Sequence, residues 1–542
     1  MSEGVTGLPS GTNDWKRSDY GDPCPPIGRH RYFFKRYAMD ITRPDLSGPG
    51  KSALKQKPVP PSPASRAEAL LELIRILLRE LRPEAHPSVN LDSSMDRDLA
   101  LDSLARIELL LRCEHQFGVS LPEQLISSME TPRELLRAIL KTDSTIQDAE
   151  IKKISTAALQ GAEGEPANAT TLIEALEWHT NAHPQRIHVF LQGQKGEEEE
   201  ISYGDLINGA EALCASLRER GLLPGQSVAL MLPTGKAFFV SFYGILMAGG
   251  IPVPIYPPMR LKQVEEHMRR QTGILSNAQA VLLITTGEIK PILQLLKPRV
   301  ESLQAIVTVD DLSIGDIKAE RPALNPNDIA LLQYTSGSTG KPKGVVLTHA
   351  NILANIRAMG QAIEVTPKDV FVSWLPLYHD MGLIGACMGS MYYALPLILM
   401  SPLSFIARPQ CWLWAIHKYR GTISSAPNFA YELCLRMKDD KDFEGLDLSS
   451  WRMACNGAEP VSPDTLERFT SRFSAYGFRP EAIAPVYGLA ESSVGLAFPP
   501  PLRGALVDVI QREPFLCHGR AIPADSDERN AMRFVACGRP LT

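Results

Sequence analysis

The sequence has little of what marks secreted, zinc-binding or nucleic-acid-binding proteins. Its nine cysteines include no C-x-x-C pair and no Cys/His cluster at zinc spacing, which favours reduced thiols in a cytoplasmic protein. The amino terminus has no apolar stretch after a basic region, so no secretory signal is expected. With a net charge of −5 and no run of Lys or Arg, the chain is not expected to bind nucleic acid generally.

Long uncharged runs are also scarce, and the exception is Met381–Met400. This run is about as long as a bilayer crossing. It contains Gly382, Gly385, Gly389 and Pro396, however, and the buried helices and strands of a large core have the same hydropathy. We therefore predict a buried segment and no transmembrane helix.

Composition divides the 542 residues into four parts, as expected for a chain too long for one core. Residues 1–62 are rich in Pro, Gly and charge and predict a disordered leader. Residues 63–142 predict a small all-α bundle. Residues 143–169 are small and polar, as in a linker, and residues 170–542 form the remaining domain.

Three helices can be placed within the predicted bundle. Apolar residues recur at helical spacing from Ala69 to Leu81. A second helix is predicted from about Ser103 to Phe117. Thr131 and Pro132 are typical of the N-cap and first residue of another helix, which should run through Leu140.

From Thr170 onward, helix and strand patterns alternate. A helix is predicted near Leu172–Asn181 and a strand at His188–Leu191, and further strand–helix pairs follow. The acidic run Glu197–Glu200 is most simply a solvated turn. The alternation predicts an α/β domain with parallel or mixed sheets covered by helices.

The stretch with the clearest chemistry is Tyr334–Val346, reading YTSGSTGKPKGVV. Glycines let backbone N–H groups approach an anion, hydroxyls add donors, and lysines add positive charge. Apolar runs at Ile329–Leu332 and Val345–Leu347 flank it, so we predict a phosphate-binding turn between two strands. The spacing is not that of a Walker A loop, and a flexible surface turn is the alternative.

Three later stretches carry further candidates: Trp374–Gly385 (WLPLYHDMGLIG), Cys455–Pro460 (CNGAEP) and Val486–Glu491 (VYGLAE). The first contains His379, which taken alone is more simply a structural histidine. The second follows an apolar strand, where ligands bind in α/β sheets, although a plain strand-to-helix turn has the same pattern.

Together these stretches resemble the active-site motifs of the adenylate-forming superfamily. The resemblance implies that ATP is bound and that a carboxylate is activated as its AMP ester. It implies phosphate contacts from Thr335, Ser336, Gly337, Ser338, Thr339, Gly340, Lys341, Lys343 and Gly344. It also implies nucleotide contacts from Gly457, Ala458, Glu459, Pro460, Tyr487, Gly488, Leu489 and Ala490. Thr335, His379 and Glu491 are the implied catalytic residues, with His379 near the reacting carboxylate and Glu491 on Mg²⁺.

The motifs are more similar to fatty acyl-AMP ligases than to other subgroups. Pro427–Glu432 adds to this resemblance, as does Ala490, where many family members have Thr. The subgroup hands its acyl adenylate to a carrier thiol, and an extra segment hinders use of coenzyme A. Phe515–Gly538 stands where that segment is expected. Phe429, Tyr431 and the apolar run discussed above suggest a pocket for a fatty chain.

A second resemblance lies in the predicted bundle, at Leu101–Leu104 (LDSL). It is similar to the attachment site of acyl and peptidyl carrier proteins, which implies that the small all-α domain is a four-helix bundle. It also implies that Ser103 carries 4′-phosphopantetheine, loaded by a phosphopantetheinyl transferase. Ser103 is predicted at the start of a helix, where free backbone N–H groups and the helix dipole favour a phosphodiester. Asp-Ser is, however, also a common N-cap pair. One departure is Ala100, where carriers usually have Gly.

The resemblance also predicts an incomplete core. In the family a small mobile domain carries a catalytic lysine, and the sequence ends at Thr542 before any counterpart. The prediction is therefore a carrier domain followed by most of a fatty acyl-AMP ligase core, with a carrier in cis or in trans as partner. A long-chain fatty acid–CoA ligase, a peptide-synthetase module and a catalytically impaired carrier and AMP-binding fragment remain alternatives.

Overall fold

The computed structural model describes residues 63–81, 88–95, 97–99, 101, 109–110, 112–113, 116–117, 119, 121, 129–141, 164–193, 197–257, 264–312, 320–335, 342–437, 440–525 and 530–542. All of them belong to one unit of the chain, residues 60–337 and 342–542. The predicted leader and most of the predicted linker lie outside the described residues. Within the described part, no helix combines the length and apolar character needed to cross a membrane.

Residues 63–141, here the amino-terminal helical region, contain helices α1 (Pro63–Leu81) and α2 (Pro132–Lys141). Their apolar faces share one buried cluster with residues between them, including Leu70, Ile74, Leu77, Leu109, Cys113, Leu135 and Ile139. The first helix confirms the prediction from apolar spacing, and the second confirms the prediction from Thr131 and Pro132. The start of the helix predicted from Ser103 lies outside the described residues.

Residues 164–542, here the α/β region, contain seventeen strands in the part that the structure describes. They are β1 (Ile187–Gln192), β2 (Glu198–Ser202), β3 (Ser227–Met231), β4 (Ile251–Pro254), β5 (Ala280–Thr285), β6 (Ala305–Thr308), β7 (Ile329–Thr335), β8 (Lys343–Thr348), β9 (Phe371–Ser373), β10 (Leu397–Met400), β11 (Ile423–Ala426), β12 (Met453–Asn456), β13 (Ile483–Pro485), β14 (Ala497–Phe498), β15 (Leu506–Ile510), β16 (Met532–Ala536) and β17 (Arg539–Pro540).

The helices of the α/β region continue the numbering. They are α3 (Leu172–Ala182), α4 (Tyr203–Glu219), α5 (Lys236–Met247), α6 (Val264–Asn277), α7 (Lys290–Leu293), α8 (His349–Ala362), α9 (Gly389–Tyr392), α10 (Pro402–Ala407), α11 (Gln410–Tyr419), α12 (Asn428–Arg436), α13 (Pro463–Phe473) and α14 (Arg512–His518). A π-helical stretch, Met381–Met388, leads into α9.

The largest sheet has seven strands in the order β13-β12-β11-β9-β10-β1-β2. Every neighbouring pair is parallel except β1 and β2. Successive side chains of a strand point to opposite faces. Leu397 and Leu399 of β10 accordingly join one apolar cluster, whereas Ile398 and Met400 join another. Burial of both faces explains the continuous apolar sequence and confirms the predicted α/β class.

A second, all-parallel sheet has the order β4-β3-β5-β6, and β7 and β8 form an antiparallel pair. The Met381–Met400 run passes through the π-helical stretch, α9 and β10, which are almost wholly buried. The prediction of a core segment is therefore confirmed.

The prediction of a turn at Glu197–Glu200 is wrong, although Glu197, Glu199 and Glu200 are exposed to solvent as predicted. Glu198–Ser202 forms β2, the antiparallel edge strand beside β1. The Glu198 carboxylate accepts hydrogen bonds from Lys418 and from the Tyr419 hydroxyl, both on α11. These partners lie more than 200 positions away in sequence, so local charge patterning could not reveal them.

Candidate active site

The candidate motifs follow the carboxyl ends of neighbouring parallel strands. Trp374–Gly385 follows β9, Pro427–Glu432 follows β11, Cys455–Pro460 begins in β12, and Val486–Glu491 follows β13. These four strands are consecutive in the sheet order and run in the same direction. The motifs therefore meet at one sheet edge, which is where α/β proteins bind ligands.

Direct contacts join the motifs to one another. The Trp374 and Phe429 rings pack edge to face with centroids 5.9 Å apart. The Phe429 N–H donates to Glu459 Oε1 at 2.7 Å. The Val486 N–H donates to the Asn456 carbonyl at 2.9 Å. Each motif thus holds its neighbour in place, which is how a rigid sheet fixes a site built from loops.

His379 lies at the surface of this edge, with half of its side chain exposed. Its Nδ1 is 2.7 Å from Asp380 Oδ1. Desolvation acts to lower the pKa of His379, but the hydrogen bond and charge of Asp380 outweigh it, and the net pKa is raised. Nδ1 also lies 3.3 Å from the Met381 N–H, so the ring is held by both the side chain of Asp380 and the backbone that follows it.

The phosphate-loop stretch is anchored by its two flanking strands, as predicted. Thr335 at the end of β7 pairs with Lys343 at the start of β8, and Tyr334 pairs with Gly344. The Tyr334 hydroxyl donates to Asn277 Oδ1 of α6 at 2.5 Å. A Cβ added to Gly344 would lie 2.9 Å from the Tyr334 ring, so the glycine allows the two strands to pack. The predicted residues Ser336, Gly337, Ser338, Thr339, Gly340 and Lys341 lie outside the described residues.

The Asn456–Pro460 turn is fixed by close backbone packing. A Cβ added to Gly457 would lie 2.8 Å from the Val486 carbonyl oxygen. Ala458 is exposed and has a positive φ of 64°, which costs a non-glycine residue some strain. The Glu459 side chain turns inward to the start of α12, so the backbone and Pro460 are what this turn offers to a ligand.

The Val486–Glu491 stretch exposes one aromatic ring and one carboxylate. Tyr487 is 54% exposed, whereas Ala490 is buried. Glu491 lies on a single 3₁₀ turn, Ala490–Ser492, which contacts β8. Its carboxylate is exposed, and no described residue hydrogen-bonds it. Because its turn contacts β8, Glu491 lies close to the strand that follows the phosphate-loop stretch.

The described residues include no cluster of three or more His, Cys, Asp or Glu that could hold a metal by themselves. Mg²⁺ is commonly held by one or two carboxylates together with substrate phosphates and water. A single exposed carboxylate on a turn that contacts β8, the strand following the phosphate-loop stretch, fits that kind of site.

The structure corrects the prediction for one residue near the site, Tyr431, and adds another, Gln333. Tyr431 was predicted to line an apolar pocket, but it is fully buried in the core and donates to the Cys455 carbonyl. Gln333 was not predicted, yet it is buried and its Nε2 donates to the Tyr378 carbonyl at 2.8 Å, which ties β7 to the His379 motif. The only signal in the sequence was one amide in the otherwise apolar run of β7.

Ser103, the predicted attachment site, lies outside the described residues. Leu101 just before it is buried in the cluster of the amino-terminal helical region. The predicted extra segment Phe515–Gly538 contains most of α14 and all of β16, and β16 pairs with β15.

Comparison with protein families gives three matches. The profile described as AMP-binding enzyme matches residues 176–515, and the phosphopantetheine attachment site profile matches residues 70–139. The profile of phosphatidylethanolamine-binding protein matches residues 1–58. The prediction of a disordered leader stays a prediction, since those residues are not described.

Curated relatives match more than half of the chain. A medium-chain-fatty-acid–[acyl-carrier-protein] ligase, JamA, from Moorena producens is 34% identical over 380 residues, which is 69% of this chain and 64% of that protein. A putative fatty-acid–CoA ligase of Mycobacterium bovis is 34% identical over 317 residues, covering 56% of this chain and 54% of that protein.

Solved structures show the same fold. The fatty acyl-adenylate ligase of L. pneumophila in complex with acyl adenylate and pyrophosphate matches with a TM-score of 0.64 and 34% identity, covering 69% of this chain and 65% of that one. The chain thus spans somewhat more than half to about two thirds of the length of these relatives.

Proposed function

Because the chain belongs to the AMP-binding enzyme family, we propose that it activates a fatty acid as acyl-AMP and transfers the acyl group to a phosphopantetheine thiol. The observation that carries this proposal is the combination of the two family matches on one chain, an adenylating core and a carrier site. The names of the relatives that act on fatty acids and acyl carrier protein support the substrate and the acceptor.

In the first step, a carboxylate oxygen attacks the α-phosphorus of ATP, and pyrophosphate leaves with the electron pair of the broken P–O bond. Charge accumulates on the phosphate oxygens in the transition state, so fixed donors and cations are the groups that accelerate it. Thr335 and Lys343 at the two ends of the phosphate loop supply a hydroxyl and an ammonium group there.

Glu491 and His379 have separate proposed roles. Mg²⁺ held by Glu491 with phosphate oxygens and water would neutralise charge on the nucleotide. His379, with its pKa raised by Asp380, would place an N–H beside the reacting carboxylate. Tyr487 has the exposed ring needed to stack on adenine.

In the second step, the thiol sulfur attacks the acyl carbonyl carbon of the adenylate. A C–S bond forms, the bond between that carbon and the phosphate oxygen breaks, and AMP leaves with the electron pair while the thiol proton passes to solvent. The arm carrying this thiol would be attached to Ser103 by a phosphopantetheinyl transferase.

The first test is Glu491→Gln. Because the amide is neutral and a poor ligand for a hard cation, we expect fatty-acid-dependent pyrophosphate release to fall by about a hundredfold or more at limiting Mg²⁺, a loss of about 3 kcal/mol. The thermal unfolding temperature should not change. Glu481→Gln, an exposed glutamate on another 3₁₀ turn, is the matched control. Unchanged turnover at every Mg²⁺ concentration would remove the metal role.

Coenzyme A is the alternative acceptor, favoured by the name of the mycobacterial relative. Offering coenzyme A and the pantetheinylated chain in one reaction separates the two, because acyl-CoA and the acylated protein differ in mass. ATP binding without any pyrophosphate release would instead indicate a binding fragment.

A further inference from the structure

Helix α10 lies between the two parts of the chain. Ile406 and Ala407 of α10 are half-buried and pack against the apolar cluster of the amino-terminal helical region. Ile406 also packs against the aromatic cluster of the α/β region, which contains Trp412 and Trp451. Ala407 packs against the cluster of the amino-terminal helical region and is not part of the two larger clusters of the α/β region.

The same short helix is joined to the candidate site. Phe405 is fully buried and stacks on Trp374, with ring centroids 3.9 Å apart and planes 12° from parallel. Trp374 opens the His379 motif and packs edge to face on Phe429. The helix start is fixed by Ser401, whose hydroxyl accepts from the Ser404 N–H at 3.0 Å. The surface that the helical region contacts is thus rigidly connected to the site.

We propose that α10 is the docking surface for the amino-terminal helical region of the same chain, so that the carrier is acylated in cis. This proposal rests on the proposed function for its chemistry, and on the packing of Ile406 and Ala407 for its geometry. It assigns to α10 a role in choosing the acyl acceptor.

The contact seen among the described residues joins two parts of one chain, and its apolar side chains from α10 are the half-buried Ile406 and Ala407. Stable complexes of separate proteins bury more than about 1,000 Å² in total, whereas a tethered partner needs less. Residues 142–163 connect the two parts covalently, which raises the effective concentration of the carrier to about the millimolar range. A contact too weak for a free carrier is then sufficient for the tethered one, and it still permits release.

The test uses the pantetheinylated full-length chain with ATP, Mg²⁺ and a fatty acid, and follows acylation by intact mass. Loading in cis predicts a rate constant that does not change with protein concentration. Ala407→Lys places a charge in the contact, while a cation at a helix carboxyl end is compatible with the helix. We expect loading to slow by about tenfold or more and pyrophosphate release to stay unchanged, since a tenfold loss corresponds to about 1.4 kcal/mol of docking free energy.

The matched control is Ala354→Lys, the same substitution at an exposed position of α8, which should load at the unsubstituted rate. Hydrogen exchange provides a readout independent of activity, because Ala407→Lys should increase exchange of the α10 amides. Loading at the original rate, or unchanged α10 exchange, would overturn the proposal. If the unsubstituted chain releases no pyrophosphate, the proposed function fails, and the exchange measurement alone decides docking.

Discussion

At the scale of single residues, Gly488 shows why the nucleotide motif needs its glycine. The chain folds back beside it, so that an added Cβ would lie 1.7 Å from the Val494 carbonyl oxygen. Tyr487 pairs with Ala497 across the same fold-back. Any side chain at position 488 must therefore displace the backbone that presents Tyr487 and Glu491.

Gly488→Ala should impair the site more than its one added methyl group suggests. We expect the free energy of unfolding to fall by about 1–3 kcal/mol, as for overpacking of a well-packed region, and pyrophosphate release to fall with it. Chemical denaturation and a pyrophosphate assay measure the two effects. Gly273→Ala is the matched control, because an added Cβ in α6 meets nothing within 4 Å and helix propensity favours Ala. Equal behaviour of the two variants would contradict the packing argument.

At the scale of elements, the start of α12 depends on a side chain from another strand end. Its N-cap residue is Pro427, which makes no side-chain cap hydrogen bond. Glu459 replaces the missing cap by accepting from the Phe429 N–H, and its charge complements the helix dipole. The same contact aligns the Asn456–Pro460 turn with the Phe429 ring.

Removing this cap should destabilise the helix start and the turn together. Glu459→Ala is expected to lower the free energy of unfolding by about 1–2 kcal/mol, and Glu459→Gln by less, since an amide oxygen can still accept the hydrogen bond. Denaturant titration checks the order of the two variants. Glu481→Ala, at an exposed position, should change stability little. A Gln variant as damaged as the Ala variant would indicate that charge, rather than hydrogen bonding, dominates.

Elements set by local pattern were predictable, and those set by distant partners were not. The helices at Pro63–Leu81 and Pro132–Lys141 and the strand at Ile187–Gln192 follow from apolar period and capping residues. β2 was not predicted, because its pairing with β1 and the contacts of Glu198 with α11 involve residues distant in sequence or outside the acidic run. The motif positions were predictable because four parallel strands end at one edge, but the Glu459 cap and the Gln333 contact depend on three-dimensional neighbours.

At the scale of the whole molecule, three of the histidines that the structure describes in the α/β region are buried in neutral form. Burial lowers the pKa of His179 to about 4 and of His349 to about 4, and it lowers the pKa of fully buried His188 to about 3. Electrostatic interactions with His183 and Arg186 also lower the pKa of His179, while the hydrogen bond to the Tyr392 carbonyl opposes them. Asp328 and Glu174 oppose the effect of burial at His349 without overcoming it.

These histidines predict a loss of stability in mild acid. In the unfolded chain each would take up a proton near its ordinary pKa of 6.5, whereas in the folded chain it stays neutral down to a pKa of about 3 to 4. Their contribution to stability is therefore fully present above pH 6.5 and declines as the pH falls from 6.5 to 4. Each histidine adds about 1.4 kcal/mol per pH unit to the slope in that window.

Denaturant unfolding measured between pH 2.5 and 8 tests this expectation. His349 is the most suitable position for a variant, because its Nδ1 accepts from the Leu172 N–H at 3.2 Å and an asparagine oxygen can take over that role. His349→Asn should reduce the slope between pH 4 and 6.5 by about one proton, with His518→Asn, an exposed position, as the matched control. The Asp369 carboxyl, whose pKa is lowered by Arg452 and Thr422 against the effect of burial, loses its contribution only below its ordinary pKa of 3.8. A fall in stability confined to that lower range would assign acid sensitivity to the carboxylates and not to the buried histidines.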